Sequence, residues 1–378
     1  MRLALVFPGC NRRGGVERLV WECRRHLAQR HHVTVVACEC EGCGPGTGEL
    51  HRVQVPRLPP FLEPPFFAWR ASEVLESRAY DLVVSYGSTC FSADVLWVNS
   101  VHRAWLERSR SSSETRARLE GVARYLLPRH LVLLGMERKY FAPSRYRHVI
   151  TVSPVVSSDL HRLYGVPLPD MTVVPNGFSP QEFSPERRGR LRSEVRSRLG
   201  VQDGQVVLLV VANELRRKGF GVLLEAVARL RDPTVHVLLL GRTPPTAFTS
   251  QIARSGLGDR LHYVGAASDI GWYHAAADLF VLPTQYEAFC LAIVEALASG
   301  LPVITTAVPG AGDLIEPDVN GLVQNDPMDA AELSSLLVQG LDGHRRERWS
   351  RSAAASVRSY AWDVILDDAE RVLGSVAG

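Results

Sequence analysis

Short apolar runs alternate with segments of helical periodicity along the first half of the chain. Residues 2–7 form an apolar run of strand length, and residues 16–30 then repeat apolar positions at the spacing of one helix face. The same pattern predicts a mostly helical segment at 103–141, interrupted near 109–113, and a helix at 157–164. Further strands are predicted at residues 32–38, 81–85, 94–98, 147–152 and 171–174.

The alternation pauses at residues 178–204, which are polar and Arg-rich and are predicted to form a linker with one amphipathic helix. It then resumes, and strands alternating with helices in both halves predict the α/β class with two doubly wound parallel sheets. Ligands bind such sheets at the carboxyl ends of the strands, so two facing domains would enclose a site in the cleft between them. The second-half strands are predicted at 206–212, 235–241, 261–264, 279–283 and 302–305, and the helices at 221–230, 270–277 and 291–299.

Composition places the chain among ordinary globular proteins. It has 378 residues, of which 46% are hydrophobic and 22% charged. No apolar run approaches the ~18 residues of a membrane span, and residues 1–9 lack the pattern of a secretory signal. We therefore expect a cytoplasmic protein, with peripheral contact at the inner face of a membrane left open. Seven cysteines are an odd number, and the cluster of Cys38, Cys40 and Cys43 has no second Cys-x2-Cys pair, so reduced thiols and no metal site are expected.

The positive charge is unevenly distributed. Lys and Arg outnumber Asp and Glu by 23 to 16 in residues 1–175, and 11 basic against 4 acidic residues occur in residues 103–148. Such a stretch suits an anionic partner such as phospholipid or a phosphorylated acceptor, and no nucleic-acid partner is predicted. The alternative is a solvated helix face. The cations expected to meet an anionic surface include Arg108, Arg110, Arg116 and Arg118.

The strongest sign of chemistry is a pair of glutamates eight residues apart. Glu287 is predicted to lie in a loop, and Glu295 among apolar residues in the helix that follows. Eight residues of helical rise span ~12 Å. The amides of Phe289, Cys290 and Leu291 would form the helix N-terminus, whose free N–H groups suit phosphate oxygens. One carboxylate would then lie on each side of a phosphate site and accept hydrogen bonds from hydroxyls.

Two further loops follow predicted strands. Arg217 and Lys218, followed by a glycine, come directly after the strand at 206–212, where cations could neutralise a diphosphate leaving group. Gly14 and Gly15 follow the first strand and would let the backbone approach a ligand. The sequence contains no G-x-G-x-x-G, Walker or Asp-x-Asp pattern.

These three motifs occur in the order and spacing typical of the retaining, nucleotide-sugar-dependent family-4 glycosyltransferases, and the chain resembles that family over nearly its whole length. Within the family it is similar to the lipopolysaccharide-core glucosyltransferase branch. The resemblance implies the GT-B fold of two facing Rossmann-like domains. An acceptor-side domain would occupy residues 1–177 and a nucleotide-sugar-binding domain residues 178–359. The last helix, within 360–378, would return to the first domain.

The resemblance also implies roles by position. Glu295 is similar to the residue that binds the donor ribose, Glu287 to the one that contacts the donor sugar, and Arg217 and Lys218 to the pair that binds the diphosphate. The residues implied to act in catalysis are Glu287, Arg217, Lys218 and His102. The donor-binding residues implied in the same way are Gly14, Gly15, Arg217, Lys218, Glu287, Ala288, Phe289, Cys290, Leu291 and Glu295.

His102 resembles a histidine that some members of the family place beside the donor sugar, and a structural histidine at a strand end is the alternative. Ser100, His102 and Arg103 are the residues expected to meet the acceptor. Cys290 stands where members of the family usually have glycine. Its side chain would therefore crowd the phosphate or shift the donor preference.

The implied reaction moves a hexose from a nucleotide sugar, with a UDP-hexose favoured, to an acceptor hydroxyl with retention at the anomeric carbon. The leaving phosphate would assist deprotonation of the acceptor, and neither a cofactor nor a metal is required. A glycan, a glycolipid or a small molecule would serve as acceptor, and a role in cell-surface glycan or glycolipid assembly is expected. The alternatives are a GT-B nucleotide-sugar epimerase or hydrolase, a natural-product glycosyltransferase, and a nucleotide-binding Rossmann protein, against which the missing G-x-G-x-x-G argues.

Overall fold

The chain folds as two compact units. The structure is a computed structural model, and it describes residues 1–76, 79–108 and 127–378. The first unit comprises Met1–Asn176 with Trp362–Gly378, and the second Gly177–Ala361. The predicted domain boundaries, after residue 177 and at residue 360, lie within two residues of these divisions. Which substrate each unit binds stays a prediction.

A parallel sheet forms the centre of the first unit. The described strands of this unit are β1 (Arg2–Val6), β2 (Gly9–Cys10), β3 (His32–Ala37), β4 (Glu39–Cys40), β5 (Glu49–Arg52), β6 (Leu82–Tyr86), β7 (Val95–Val98), β8 (His148–Thr151) and β9 (Met171–Val173). Seven of them follow the order β5-β3-β1-β6-β7-β8-β9, while β2 and β4 pair separately. Every residue of β6 is buried, as expected of a parallel strand covered on both faces.

Five helices accompany this sheet in the described part of Met1–Asn176: α1 (Gly15–Leu27), α2 (Glu63–Glu76), α3 (His102–Arg108), α4 (Pro128–Tyr140) and α5 (Pro154–Tyr164). The start of α5 is capped by Ser153, whose hydroxyl accepts a hydrogen bond from the Val156 amide. The sequence did not predict α2, because residues 53–65 are rich in proline. Pro64 and Pro65 lie in its first turn, however, where the missing N–H groups cost no helical hydrogen bond.

The second unit has its own parallel sheet. Its strands are β10 (Val206–Val211), β11 (Val235–Leu240), β12 (Leu261–Gly265), β13 (Leu279–Leu282), β14 (Val303–Thr306) and β15 (Gly321–Gln324), in the order β12-β11-β10-β13-β14-β15. The continuous apolar run of β10 lies at the centre of the sheet, between β11 and β13. The carboxyl ends of β10 and β13 are therefore neighbours, and the loops that follow them start side by side.

The helices after residue 177 are α6 (Pro185–Arg198), α7 (Phe220–Leu230), α8 (Thr249–Ser255), α9 (Ile270–His274), α10 (Leu291–Ala298), α11 (Ala330–Leu341), α12 (Gly343–Ser356) and α13 (Trp362–Ala377). Of these, α13 belongs to the first unit, where Glu370 accepts a hydrogen bond from Arg30 at 2.8 Å. Arg196 of α6 packs inward: it donates to Ala276 O at 3.0 Å and to Asp278 at 3.1 Å. Residues 178–204 are thus part of the second unit's packing rather than a free linker.

In the basic stretch at residues 103–148, not every cation is an unpaired side chain on the surface. Arg108 binds the buried carboxylate of Asp159 through two hydrogen bonds of 2.7 and 2.6 Å. Its expected role at an anionic surface is therefore corrected to that of a structural ion pair. Arg110, Arg116 and Arg118 lie outside the described residues. No described helix combines the length and the apolar character needed to cross a membrane.

The cysteines differ from expectation at one pair. Cys40 and Cys43 form a disulfide, with their Cα atoms 5.7 Å apart, so the prediction that all cysteines are reduced is wrong for these two. Gly42 between them has a φ of +72°, which closes the turn that brings the two side chains together. The other five cysteines are free thiols.

Candidate functional site

The loop after β10 packs closely against the residue that follows β13, Pro283. Lys218 donates its backbone N–H to Glu214 O at 2.9 Å, which folds the loop into a turn before α7. Gly219, with a φ of +73°, follows directly, and a Cβ atom there would lie 1.9 Å from Pro283 O. Only glycine fits at this position. The sequence pattern Arg-Lys-Gly therefore places two cations at the carboxyl ends of adjacent strands.

Three donors converge on a single carboxylate oxygen in the second unit. Lys218 Nζ donates to Glu287 Oε1, and the same oxygen accepts hydrogen bonds from Arg217 Nη1 at 3.2 Å and Thr284 Oγ1 at 2.9 Å. Glu287 is only 6% exposed, so these charge-assisted bonds lie largely out of bulk water. The structure thus brings together the three predicted residues Arg217, Lys218 and Glu287. Thr284 joins them without having been predicted.

Arg217 is held between two carboxylates. Its Nε and Nη2 atoms each lie 3.1 Å from the carboxylate of Glu214, and its Nη1 also donates to Tyr286 O. Burial alone would lower the pKa of Arg217, but the charges of Glu287 and Glu214 outweigh it and raise the pKa. The guanidinium is therefore a fixed positive charge at this end of the sheet.

The helix that carries Glu295 begins at Leu291, as predicted, so the ~12 Å estimate, which treated all eight residues from Glu287 to Glu295 as helical, does not hold. Glu287 lies in the loop before α10, and only four helical steps, about 6 Å of rise, separate Leu291 from Glu295. The Cys290 amide donates to Gly310 O at 3.0 Å, and an anion at this amide would have to share or replace that bond. The N–H groups of Leu291 and Ala292 lie in the first turn, which has no intrahelical acceptors.

The side chains around this helix start are largely buried. Glu295 is 5% exposed, and Cys290 is 2% exposed. Burial raises the pKa of the Cys290 thiol to about 12, so the thiol is neutral at physiological pH. Phe289 packs with Tyr360, with ring centroids 6.1 Å apart. The backbone of Ala288 lies close to Gly310, because a Cβ atom on Gly310 would approach Ala288 O to 2.8 Å.

The predicted glycine loop of the first unit opens α1. Gly15 is the first residue of the helix and Gly14 its cap, with an extended backbone and no capping side chain. A Cβ on Gly15 would meet no atom within 4 Å, whereas one on Gly14 would fall 2.0 Å from Glu17 Oε2. The packing of the unit therefore does not itself demand glycine at position 15.

His102 begins α3 inside an aromatic cluster. Its Nε2 lies 2.9 Å from His130 Nδ1, and its ring stacks on those of His130 and Trp105 at 5.0 and 5.5 Å. Burial, His130 and Arg129 together lower the pKa of His102 to about 4, so the imidazole is neutral at physiological pH. Glu137 caps the helix, because its carboxylate accepts hydrogen bonds from the amides of His102 and Arg103.

The residues beside His102 differ in their exposure and in the contacts that their side chains make. Ser100 is exposed, whereas Arg103 contacts Leu163 O and Glu107 Oε1, each at 3.4 Å. Asn99, directly after β7, has both polar side-chain atoms buried with no hydrogen-bond partner among the described residues. Such a group costs free energy unless a ligand or water satisfies it.

Both halves of the chain match glycosyltransferase families. Residues 13–182 match Glycosyltransferase Family 4, and residues 192–355 match Glycosyl transferases group 1. The chain is 27% identical over 359 residues to the lipopolysaccharide glucosyltransferase WaaG of Escherichia coli (strain K12), a match that covers 92% of this chain and 91% of that protein. The chain is a glycosyltransferase of the GT-B fold. The predicted family and fold class are thereby confirmed.

Other relatives agree with this glycosyltransferase assignment. The MMP alpha-(1->4)-mannosyltransferase of Mycolicibacterium hassiacum is 27% identical over 319 residues, covering 81% of this chain and 73% of that protein. A crystal structure of WaaG matches with a TM-score of 0.84 at 23% identity, covering 98% of this chain and 99% of that one. Anabaena Alr3699/HepE in complex with UDP-glucose matches with a TM-score of 0.75 at 19% identity, covering 99% and 100%.

Sequence reasoning missed three residues of this glycosyltransferase that contact predicted site residues. Thr284 comes two residues after β13, and the rule that ligands meet strand ends could have singled it out. Glu137 and His130 had no such signal. They lie 35 and 28 residues from His102 along the chain, and only the packing of α4 on α3 brings them together.

Proposed function

We propose that this glycosyltransferase moves a hexose from a nucleotide sugar, with a UDP-hexose as the favoured donor, to an acceptor hydroxyl with retention at the anomeric carbon. The observation that carries the proposal is the convergence of Lys218 and Arg217 on Glu287, at the carboxyl ends of β10 and β13. Two preplaced cations there suit a diphosphate, and the related HepE structure is a complex with UDP-glucose.

Donor binding in this proposal uses both charge signs of the cluster. The diphosphate takes hydrogen bonds from Lys218 and Arg217 and from the first-turn amides of α10. Glu287 accepts from hydroxyls of the sugar, and Glu295, farther along α10, accepts from the ribose. Gly15 stays among the proposed donor-binding residues, and a side chain at this position would meet open space.

The proposed transfer is a front-face displacement. The bond between the anomeric carbon and the diphosphate oxygen breaks, the acceptor oxygen bonds to the same face of that carbon, and the acceptor proton passes to the departing phosphate. Negative charge grows on the diphosphate during this step, so Lys218 and Arg217 stabilise the transition state more than the ground state. No protein nucleophile is assigned, and the two cations fill the role that a metal ion would have.

The acceptor is proposed to bind the first unit near Asn99, Ser100, His102 and Arg103. Both polar atoms of the Asn99 side chain are buried without a partner among the described residues, and Ser100 beside it is exposed. His102 is neutral and can accept or donate a hydrogen bond to a sugar hydroxyl. A glycan or glycolipid acceptor of cell-surface assembly is favoured, because the relative WaaG is a lipopolysaccharide glucosyltransferase.

The proposed place of action is the cytoplasmic face of a membrane, in peripheral contact with anionic lipid. Support comes from the start of α4, where Leu127 and Leu131, about one turn apart, are 50% and 52% exposed, and where Arg129, two residues from each, is exposed as well. Exposed apolar side chains on a helix that also carries exposed cations are typical of segments that lie in a lipid headgroup region. Arg138 and Lys139 extend the exposed positive charge along the same helix.

A panel of nucleotide sugars tests the proposed donor chemistry. The full chain is incubated with each donor and a mixture of lipopolysaccharide-core and phospholipid acceptors, and release of nucleoside diphosphate is measured. We expect the strongest release with a UDP-hexose, and only when acceptor is present. NMR of the product should show the same anomeric configuration as the donor sugar. Inverted product, an epimerised free sugar, or equal release without acceptor would each overturn the proposal.

A further inference from the structure

Three cysteine sulfurs converge in the first unit. Cys40 in β4 and Cys43 in the following turn form the disulfide, and Cys10 in β2 is the register partner of Cys40. The Sγ atoms of all three lie within 4.8 Å of one another. Cys10 is buried, and the other two are half-buried. Neither the donor chemistry nor the acceptor chemistry proposed above uses them.

The backbone around the three sulfurs is firmly tied. The Glu41 amide donates to Cys10 O at 2.7 Å, which anchors the turn to β2. Arg24 of α1, only 3% exposed, donates to Gly42 O at 2.7 Å and also to Thr47 O. The turn from Cys40 to Cys43 is thus held in place by contacts that do not depend on the disulfide.

The electrostatics of this cluster favour a divalent metal ion over three unpaired thiolates. Three thiolates and one divalent cation carry a net charge of −1, which the guanidinium of Arg24 neutralises. Zinc–sulfur bonds of ~2.3 Å in tetrahedral geometry require sulfurs about 3.8 Å apart, a spacing that this cluster allows.

We propose that Cys10, Cys40 and Cys43, once the Cys40–Cys43 disulfide is reduced, form a binding site for a thiophilic divalent metal ion such as Zn²⁺. A low-molecular-weight thiol can supply the reduction: two of its molecules give two electrons and two protons to the Cys40–Cys43 disulfide and are themselves joined as a disulfide. Metal binding then releases the protons of the protein thiols to solvent. The three sulfurs occupy three positions of a tetrahedron, and a water molecule takes the fourth. Because β2 leads directly to Gly14 and Gly15, a bound metal would fix the start of the predicted donor loop.

Zinc competition on the full chain tests this site. The protein is reduced with a water-soluble phosphine, which becomes the phosphine oxide, and is then desalted without air and titrated with Zn²⁺ against a chromophoric chelator. We expect one zinc per chain, and Co²⁺ in its place should give thiolate charge-transfer absorption. Cys40→Ser and Cys43→Ser should each weaken binding by about a hundredfold or more, since even outer partners of a metal cost 10–100-fold.

The control variants separate this site from other metal ligands. Cys38→Ser changes a free thiol in the same segment and should bind zinc like the wild type. His26→Gln removes a member of the separate His26, Asp367 and Glu370 group and should likewise leave the tight site unchanged. Cys10→Ser is informative only if circular dichroism shows a folded chain, whereas Cys40 and Cys43 are half-buried and better tolerated.

Four outcomes would overturn the proposal. The first is a reduced wild type that binds no zinc in competition with the chelator. The second is a Cys38→Ser variant that loses as much affinity as Cys40→Ser. The third is binding that survives in Cys40→Ser and Cys43→Ser but disappears in His26→Gln. The fourth is binding by the oxidised chain equal to that of the reduced chain, because the disulfide leaves only Cys10 as a free thiol among the three cysteines of the cluster.

Discussion

Lys218 and Glu287 form an ion pair that joins the loops following two adjacent strands of the second unit, β10 and β13. The pair is 69 residues apart in sequence and largely buried. Glu287 fixes Lys218 before any donor arrives, so little reorganisation is needed when charge develops on a leaving group. The same contact explains why a cation and a carboxylate occur together at this end of the sheet, and the close approach of Pro283 O explains the glycine beside them.

Loss of Lys218 should reduce turnover more than donor binding. Lys218→Ala removes a preplaced charge that acts mainly in the transition state, so we expect kcat to fall by roughly a hundredfold or more. Arg216→Ala, which removes an exposed cation two residues earlier, is the matched control and should keep near-wild-type kcat. Steady-state kinetics with the preferred donor measures both. A rise in KM alone would assign Lys218 to uniform binding instead.

Glu295 should matter for affinity. Charge-assisted hydrogen bonds contribute ~1.5–3 kcal/mol each, so Glu295→Ala should weaken nucleotide binding at least about tenfold. Glu225→Ala, on the exposed side of α7, changes the same residue type outside the site. Calorimetric titration with the nucleoside diphosphate compares the two. Unchanged affinity in a folded Glu295→Ala chain would contradict the assigned ribose contact.

Thr284 should act through Glu287. Thr284→Val keeps the shape of the side chain but removes the hydroxyl that donates to Glu287 Oε1 at 2.9 Å. We expect kcat/KM to fall by roughly tenfold, the scale of one hydrogen bond to a charged group. The conservative Thr284→Ser variant retains the hydroxyl and should recover most of this loss. If serine and valine behave alike, the hydroxyl does not position the carboxylate.

Gly219 should be intolerant of any side chain. Both Gly219 and Gly204 have a positive φ, at +73° and +83°, but only at Gly219 would a Cβ collide with backbone, 1.9 Å from Pro283 O. The left-handed conformation costs an alanine about 1–2 kcal/mol at either site. Gly219→Ala should therefore lower the denaturation midpoint clearly more than Gly204→Ala. Equal shifts of the urea unfolding midpoint in the two variants would show that the loop holding Gly219 can move away from Pro283 at little cost.

His102 should make the protein less stable in acid. Its pKa is lowered to about 4 in the folded chain, against about 6.5 when unfolded. Between these values the unfolded chain binds a proton that the folded chain does not, so the free energy of unfolding decreases as pH falls from 6.5 towards 4. His102→Gln should make this decrease shallower. Unfolding midpoints measured across that range test it, with the exposed His344→Gln as the control.

Periodicity along the chain determined the α/β class and most of the strands. Runs such as Val206–Val211 are apolar throughout because a parallel strand is buried on both faces, and this requirement is local. The glycine and charged motifs that mark the loops after strands are likewise local signals that the sequence alone shows. The family and the GT-B fold could be predicted because the order and spacing of these motifs resemble those of the family-4 glycosyltransferases, a resemblance that implies the fold.

Only the tertiary structure decided which of these residues meet. Strand order places β10 beside β13, and this adjacency brings Lys218 and Thr284 onto one oxygen of Glu287. Local periodicity contains no information about it, because pairing between distant segments depends on how whole elements pack. For the same reason Arg108 proved to be the partner of buried Asp159, a contact 51 residues away that no count of charges along the chain can show.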